Sequence, residues 1–211
     1  MAIPAYAKPP YAPTRFPKGI TNANQGETLG NLAVPDPTKL HALFSDLDLG
    51  ITGWTAVTTA AVAGDGGLAT ITAAGSLTTP VASFMLKANR RAFVKTKIAA
   101  VGLTASIITG FYNTVLVPTN GMYVTVANNL LTLTVGALAS TPVTVAYTAG
   151  AQFTVGIELT PQGKVKAYFN DALVASVTPV LTGHLDVALS AGVSSATANA
   201  TLDYLYFATE R

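Results

Sequence analysis

The amino-acid sequence predicts an all-β protein, a jelly-roll β-sandwich that follows an extended N-terminal arm. From about residue 41 onward, short runs rich in Thr, Val, Ala and Ile alternate with Gly, Asn and Pro turn signals. This spacing is typical of a sandwich or barrel, and we expect about ten to thirteen short strands. Half of the 211 residues are hydrophobic, which is enough for a sizeable core. Long connections such as 136–142 favour a jelly-roll order over a simple meander.

Residues 1–40 form a separate unit. Prolines stand at positions 4, 9, 10, 13, 17, 35 and 37. Proline disfavours a helix both at its own position and at the residue before it. Tyr6, Tyr11 and Phe16 recur within this unit, whereas a purely disordered tail is poorer in aromatic residues. We therefore predict an extended arm over 1–40 that becomes ordered against another surface, followed by a domain over 41–211. The alternative is a flexible leader without a role.

The best candidate for a helix is the segment PDPTKLHALFSDL. Leu40, Leu43, Phe44 and Leu47 have helical spacing. Thr38 is suited to cap such a helix at its N-terminus.

The strand predictions depend on alternation and on turns. Asp65-Gly66-Gly67 between two Thr/Ala-rich runs indicates a hairpin. In RRAFVKTKIAAV one face carries Phe93, Lys95 and Lys97, and the other carries Val94, Thr96 and Ile98. Turns are expected at Asn128-Asn129, Pro161-Gln162-Gly163 and Asn170-Asp171. In the last strand, Leu202, Tyr204 and Tyr206 are expected on one face, and Asp203, Leu205 and Phe207 on the other.

Charge and cysteine content exclude several partners. Charged residues make up 10% of the chain, against about 25% in typical proteins, and a neutral surface suits packing against neighbours. We interpret the basic cluster of Lys87, Arg90, Arg91, Lys95 and Lys97 as a solvated strand face or loop, because a nucleic-acid stripe carries more charge and interleaved aromatics. The absence of cysteine excludes disulfides and thiolate sites. No signal peptide or apolar run of about 18 residues is present, so we expect no membrane partner.

The sequence offers no catalytic constellation, and we expect no enzyme activity, no cofactor and no metal. The two histidines, His41 and His184, are isolated in the sequence. A glycosidase needs two carboxyl groups at a fixed separation, yet Glu27, Glu158 and Glu210 lie in separate segments. Glu158 is expected to be solvated or paired with Lys164 or Lys166 across a hairpin. Tyr112, Tyr123, Tyr147 and Tyr168 could form a sugar platform, although about half of them should fill the core or its rim.

Two stretches of the sequence resemble known proteins, and the first resembles the start of a family of tailed-bacteriophage virion proteins. The first comprises Arg15-Phe16-Pro17-Lys18-Gly19 and Pro35-Asp36-Pro37-Thr38-Lys39-Leu40-His41, followed by Phe44, Asp46, Asp48, Trp54 and Gly66-Gly67-Leu68. The second, FTVGIELTPQGKVKAYFNDALVASV followed by TLDYLYFATER, resembles the last strands of a concanavalin-like jelly-roll sandwich. One departure is Leu47, which stands where an aromatic residue is common.

The resemblance implies a decoration or cement protein on the outer surface of a short-tailed phage head. Such proteins commonly form oligomers, often homotrimers, between subunits of the major capsid protein. The arm would then bind the capsid by strand addition, with aromatic residues in pockets. The expected arm contacts are Tyr6, Tyr11, Arg15, Phe16, Pro17 and Lys18. The alternatives are a receptor- or glycan-binding module of a tail fibre or head spike, and a polysaccharide depolymerase with Glu158 as the acid.

Overall fold

The computed structural model describes residues 40–45, 47, 51, 54–62, 68–80, 82–100, 104–113, 118, 120–179, 188–197 and 199–210. Within these ranges the protein is all-β, with fifteen strands and no helix. The strands are β1 (Leu40–Ser45), β2 (Thr55–Val62), β3 (Leu68–Thr78), β4 (Phe84–Met85), β5 (Ala92–Ala100), β6 (Ile107–Tyr112), β7 (Gly121–Ala127), β8 (Leu130–Val135), β9 (Leu138–Ala139), β10 (Val143–Thr144), β11 (Gln152–Leu159), β12 (Val165–Phe169), β13 (Ala172–Val177), β14 (Ala188–Ser195) and β15 (Ala200–Glu210). Nothing in the described ranges is a helix that is long and apolar enough to cross a membrane.

The strands form two facing layers that are joined through β3. Hydrogen bonds connect them in the order β10-β8-β7-β6-β14-β3-β15-β5-β11-β12-β13, with β1 beside β15 and β2 beside β3. Strands β5, β11, β12 and β13 contact β6, β7 and β8 across the interior. We call β1, β15, β5, β11, β12 and β13 the front sheet, and β14, β6, β7, β8 and β10 the back sheet. This jelly-roll-type sandwich confirms the predicted fold class.

Strand β3 belongs to both sheets because it changes partners along its length. Its first part, Ala69–Ile71, pairs with β15, and its last part, Gly75–Thr78, pairs with β14. Between the two parts, Thr72, Ala73 and Ala74 are exposed, and Ala74 has a φ of 58°. The bend at this point carries the chain from one layer to the other.

The segment predicted as a helix is a strand over Leu40–Ser45, so that prediction is wrong there. β1 pairs with β15 residue for residue, from Leu40 opposite Glu210 to Ser45 opposite Leu205. Helical spacing of four apolar residues is a local preference, and pairing along a neighbouring long strand overrides it. Leu47, just beyond β1, is buried in the main core.

The predicted hairpins are confirmed. β2 pairs with β3, although the turn residues 63–67 lie outside the described ranges. At Asn128-Asn129 and at Asn170-Asp171 both residues have positive φ, which Asn and Asp tolerate and which matches the twist of the flanking strands. The connection 136–142 is not a plain loop, because β9 folds back on β8. The strand count exceeds the expected range because β4, β9 and β10 have only two residues each.

The main core lies between the two sheets. Phe84, Phe111 and Phe207 pack together at one place in it, with ring centroids 5.1–6.5 Å apart. Phe153 and Phe169 stack at another, with centroids 5.2 Å apart. Burial of such rings is the main favourable term for joining the layers.

A β-bulge in β15 changes the predicted alternation of its side chains. The register with β5 shifts between Leu202 and Tyr204. Leu202 therefore shares the main core with Leu205 and Phe207, while Tyr206 lies on the opposite face. The sequence-based alternation is correct after the bulge and wrong for Leu202, because a bulge inserts one residue into the pleat.

Candidate functional site on the outer face of the front sheet

The front sheet has a second face that points away from the main core. In β5, Val94 and Ile98 point into the core, so Phe93, Lys95 and Lys97 point outward, as the alternation predicted. Strand register extends this face across β15, β11 and β12. We call it the outer face, and its members are Phe93, Lys95, Lys97, Thr154, Gly156, Glu158, Lys166, Tyr168, Tyr204, Tyr206 and Ala208.

Three ion pairs lie on or beside the outer face. Lys95 Nζ is 3.0 Å from Asp171 Oδ1, and Lys97 Nζ is 3.0 Å from Asp203 Oδ2. Lys166 Nζ is 3.1 Å from Glu158 Oε2. The three ammonium groups are therefore matched by three carboxylates, and the face combines charged side chains with little net charge.

Glu158 is buried rather than solvated, and one of its carboxylate oxygens accepts two hydrogen bonds. Lys166 Nζ donates one, which confirms the predicted pairing across the hairpin, and Tyr168 Oη donates the other at 3.1 Å. Burial raises the pKa of Tyr168 above its usual value, and the Glu158 carboxylate raises it further. Glu158 therefore holds two side chains of β12 in place, an arrangement suited to a structural role.

The basic cluster is not a uniformly solvated surface, which corrects the sequence-based interpretation. Lys87 and Arg90 are exposed, as expected, but Lys95 is 1% exposed. Its stem lies beside Tyr206 on one side and Gly156 on the other, according to the register. Its charge is matched by Asp171, which comes from the turn between β12 and β13.

An apolar patch forms one end of the outer face. Phe93, Tyr206 and Ala208 make a buried cluster that is separate from the main core. Burial raises the pKa of Tyr206 to about 12. The outer face therefore combines a buried apolar patch with ion pairs that each keep at least one partly exposed partner.

None of the four tyrosines proposed as a sugar platform has an exposed ring. Tyr112 and Tyr168 are buried, and Tyr123 and Tyr147 are half-buried. Tyr147 packs on Phe153 with ring centroids 4.9 Å apart. The sequence-based expectation that about half of these rings fill the core or its rim agrees with the burial of Tyr112 and Tyr168.

The predicted arm contacts lie outside the described residues, namely Tyr6, Tyr11, Arg15, Phe16, Pro17 and Lys18. The same holds for Glu27 and His184, and only the backbone of His41 is described. In the described part of the chain, no three His, Asp or Glu side chains lie close enough together to hold a metal ion.

Sequence reasoning missed the outer face as a unit. The outward alternation of Phe93, Lys95 and Lys97 was a usable signal, as was the spacing of Glu158 and Lys166 around one turn. The pairing of Lys95 with Asp171, which are 76 positions apart in the sequence, had no local signal.

Comparison with known proteins identifies relatives of the fold. The carbohydrate-recognition domain of Emp47p superposes with a TM-score of 0.59 and 14% identity, covering 82% of this chain and 98% of that one. The carbohydrate-recognition domain of Emp46p in its metal-free form superposes with a TM-score of 0.55 and 10% identity, covering 77% of this chain and 91% of that one. The carbohydrate esterase vb_24B_21 from the Shiga toxin-encoding bacteriophage phi24B superposes with a TM-score of 0.54 and 10% identity, covering 81% of this chain and 97% of that one. No protein-family model and no curated protein matches the sequence.

These similarities identify a lectin-type β-sandwich. Proteins with this fold include carbohydrate-recognition domains and a phage-encoded protein. At 10–14% identity the likeness concerns the fold alone, and function has to be argued from the chain's own residues.

Proposed function

We propose that the protein is a structural component of a bacteriophage virion. In this proposal it is a decoration or cement protein on the outer surface of the head, and it stabilises contacts between major capsid subunits through its N-terminal arm. The observation that carries the proposal is the arm itself, with its Arg15-Phe16-Pro17-Lys18-Gly19 motif and its resemblance to phage virion proteins. The protein acts by binding, without a catalytic centre or a cofactor.

The attachment of the arm supports a mechanical role. The described chain begins with β1, whose six residues all pair with β15. β15 also pairs with β5 and β3, so it lies inside the front sheet. A mechanical force applied to the arm along β1 is therefore distributed over the hydrogen bonds of the whole β1–β15 pair. Because β15 also pairs with β5 and β3, the force is transmitted to the interior strands of the front sheet.

The arm is suited to a long reach at low entropic cost. Its prolines restrict the free chain, so less conformational entropy is lost when it docks. Tyr11 and Phe16 would fill pockets on a capsid subunit, and Arg15 and Lys18 would pair with carboxylates at the rim. The low charge of the chain suits association into homotrimers on the shell.

The first test measures binding of the full-length protein to heads of its own phage that lack it. The double variant Tyr11→Ala with Phe16→Ala should bind at least about tenfold more weakly, which corresponds to about 1.4 kcal/mol. Leu173→Ala, on an exposed position of β13, is the control and should bind like the wild type. Cosedimentation with heads gives the affinity. Undiminished binding of the double variant would exclude the arm as the capsid contact.

A second candidate is a glycan-binding module of a tail fibre or head spike. The observation in its favour is the sandwich shared with the carbohydrate-recognition domains of Emp47p and Emp46p. A glycan array together with the copy number per virion separates the two candidates. Decoration requires a copy number comparable to that of the major capsid protein, whereas a fibre or spike protein is present in few copies and binds glycans.

A further inference from the structure

Three exposed cations have no carboxylate partner among the described residues. They are Lys87, Arg90 and Lys164. Three of the four described carboxylates pair with lysines of the outer face, and the fourth, that of Glu210, accepts a hydrogen bond from the backbone N–H of Arg91. Charged residues make up only 10% of the chain, so three unmatched positive charges are a distinct feature of its surface. These charges are available to a partner.

The strand register places all three cations at one end of the front sheet. Lys87 and Arg90 belong to the connection from β4 to β5, so they lie where β5 begins. The first residue of β5 pairs with the last residue of β11. Lys164 belongs to the turn that joins β11 to β12, and it therefore lies at the same end. We call this end of the front sheet, with its connections 86–91 and 160–164, the basic end.

Backbone hydrogen bonds hold both connections in place. The N–H of Arg91 donates to the carboxylate of Glu210, and the N–H of Glu210 donates to the carbonyl of Arg91. In the other connection, the N–H of Thr160 donates to the carbonyl of Lys164 at 2.8 Å, and the N–H of Lys164 donates to the Thr160 hydroxyl at 3.1 Å. The cations therefore project from fixed backbone, and only side-chain freedom is lost when they bind.

The chain enters the described domain at the basic end. Leu40 pairs with Glu210, whose backbone N–H donates to the carbonyl of Arg91, the residue directly after Arg90. Residues 1–39 are therefore joined to the domain beside the unmatched cations. A surface that binds the arm is tethered to this end, which raises its effective concentration near the cations.

The chemistry of the basic end favours an acidic protein surface as the partner. None of the aromatic side chains whose burial the structure describes is exposed. Surfaces that bind single-stranded nucleic acid use exposed rings to stack on bases, and nucleic-acid stripes carry more charge than three cations supply. Separate exposed cations on a neutral surface are instead complementary to scattered carboxylates on another protein.

We infer that the basic end docks on an acidic surface of the major capsid protein, an inference that rests on the proposed function. Lys87, Arg90 and Lys164 pair with carboxylates of the subunit that binds the arm. Exposed ion pairs contribute little individually, so the three cations act together. The arm supplies most of the affinity, and the basic end fixes the orientation of the domain on the shell and accelerates association.

The test measures cosedimentation of the full-length protein with heads of its own phage that lack it, at about 50 mM and about 300 mM salt. The basic-end variant replaces all three cations, Lys87→Gln, Arg90→Gln and Lys164→Gln. It should bind at least about tenfold more weakly than the wild type at low salt, and the difference should shrink at high salt because exposed charges are screened there.

The matched control changes the net charge by the same amount at the opposite end of the front sheet. It uses exposed positions in the connection that leads into β11, namely Ala146→Glu, Thr148→Glu and Ala149→Glu. This variant should bind like the wild type. Equal weakening of both triple variants would show that only net charge matters and would overturn the inference. Thermal unfolding checks that both variants are folded, and wild-type binding that does not weaken with salt would contradict the inference without any variant.

The same assay separates failure of the basic end from failure of the proposed function. If the wild type does not bind heads, both fail. If the variant Tyr11→Ala with Phe16→Ala binds weakly while the basic-end variant binds like the wild type, only the role of the basic end fails. A glycan array adds the remaining outcome. Loss of binding to an anionic glycan in the basic-end variant, with unchanged binding to heads, would overturn the inference in favour of the glycan-binding candidate.

Discussion

At the scale of single residues, the outer face depends on how its buried charges are matched. The Lys95 ammonium is buried, whereas its partner Asp171 is 39% exposed. Removing one partner of a buried pair is costly when the remaining charge is buried, and mild when it reaches water. The two halves of this ion pair are therefore not equivalent.

Asp171→Asn should destabilise the protein by about 1–3 kcal/mol, because it removes a carboxylate that pairs with a buried ammonium. Asn tolerates the positive φ at this turn, so the backbone is preserved. Lys95→Met should cost less than about 1 kcal/mol, since the carboxylate left behind is hydrated. Urea unfolding measures both. Lys97→Met and Asp203→Asn, in a more accessible pair, serve as controls. Equal losses for Asp171→Asn and Lys95→Met would contradict this account.

Tyr206 makes stability depend on pH in the alkaline range. Its pKa is raised from 10.0 to about 12 by burial, so the folded state keeps the proton where the unfolded chain loses it. This contribution is fully present below about pH 10 and is lost as the pH rises to about 12. Tyr206→Phe should make the fall in stability over this range shallower, by at most about 1.4 kcal/mol per pH unit. Urea unfolding of both proteins between about pH 9 and pH 11.5 measures the difference, because other titrating groups contribute equally. Identical pH profiles would show that burial does not raise the pKa of Tyr206.

At the scale of elements, the hairpins could be predicted and the long-range features could not. Asn128-Asn129 and Asn170-Asp171 specify their turns locally, because Asn and Asp tolerate positive φ. The strand character of Leu40–Ser45 depends on β15, which comes from the other end of the described chain, and the bulge at Leu202 depends on the register with β5. A local pattern carries no information on either partner.

The centre of the back sheet depends on a glycine in β6. Gly110 has a φ of 150°, and a Cβ there would stand against the carbonyl oxygen of Met122 and 2.6 Å from the Tyr123 Cα. These are backbone atoms of the paired strand and cannot rotate away. Gly110→Ala should therefore cost about 3 kcal/mol or more, as measured by thermal or urea unfolding.

Gly150→Ala is the matched control for that substitution. Gly150 also has a positive φ, but a Cβ there meets no atom within 4 Å. Its cost should be about 1 kcal/mol, from backbone strain alone. A similar loss for both variants would show that strain, rather than the contact between strands, sets the cost at Gly110.

At the scale of the whole molecule, composition and turn spacing predicted the all-β sandwich. The candidate site was predicted only in part. The pair of Glu158 and Lys166 is eight positions apart around one turn and was expected, whereas Lys95 and Asp171 meet only through the order of the strands. The division into an arm over 1–40 and a domain over 41–211 stays a prediction, and so do the virion location and the homotrimer.

The position of β15 affects how the protein is made. β15 is the last strand in the described chain, yet it pairs with β1, β3 and β5, all of which leave the ribosome much earlier. Until residues 200–210 have emerged, those strands keep unsatisfied edges and apolar side chains accessible to other nascent chains. Assembly of the front sheet therefore waits until residues 200–210 have been translated, and nascent chains on crowded polysomes are open to mispairing until then.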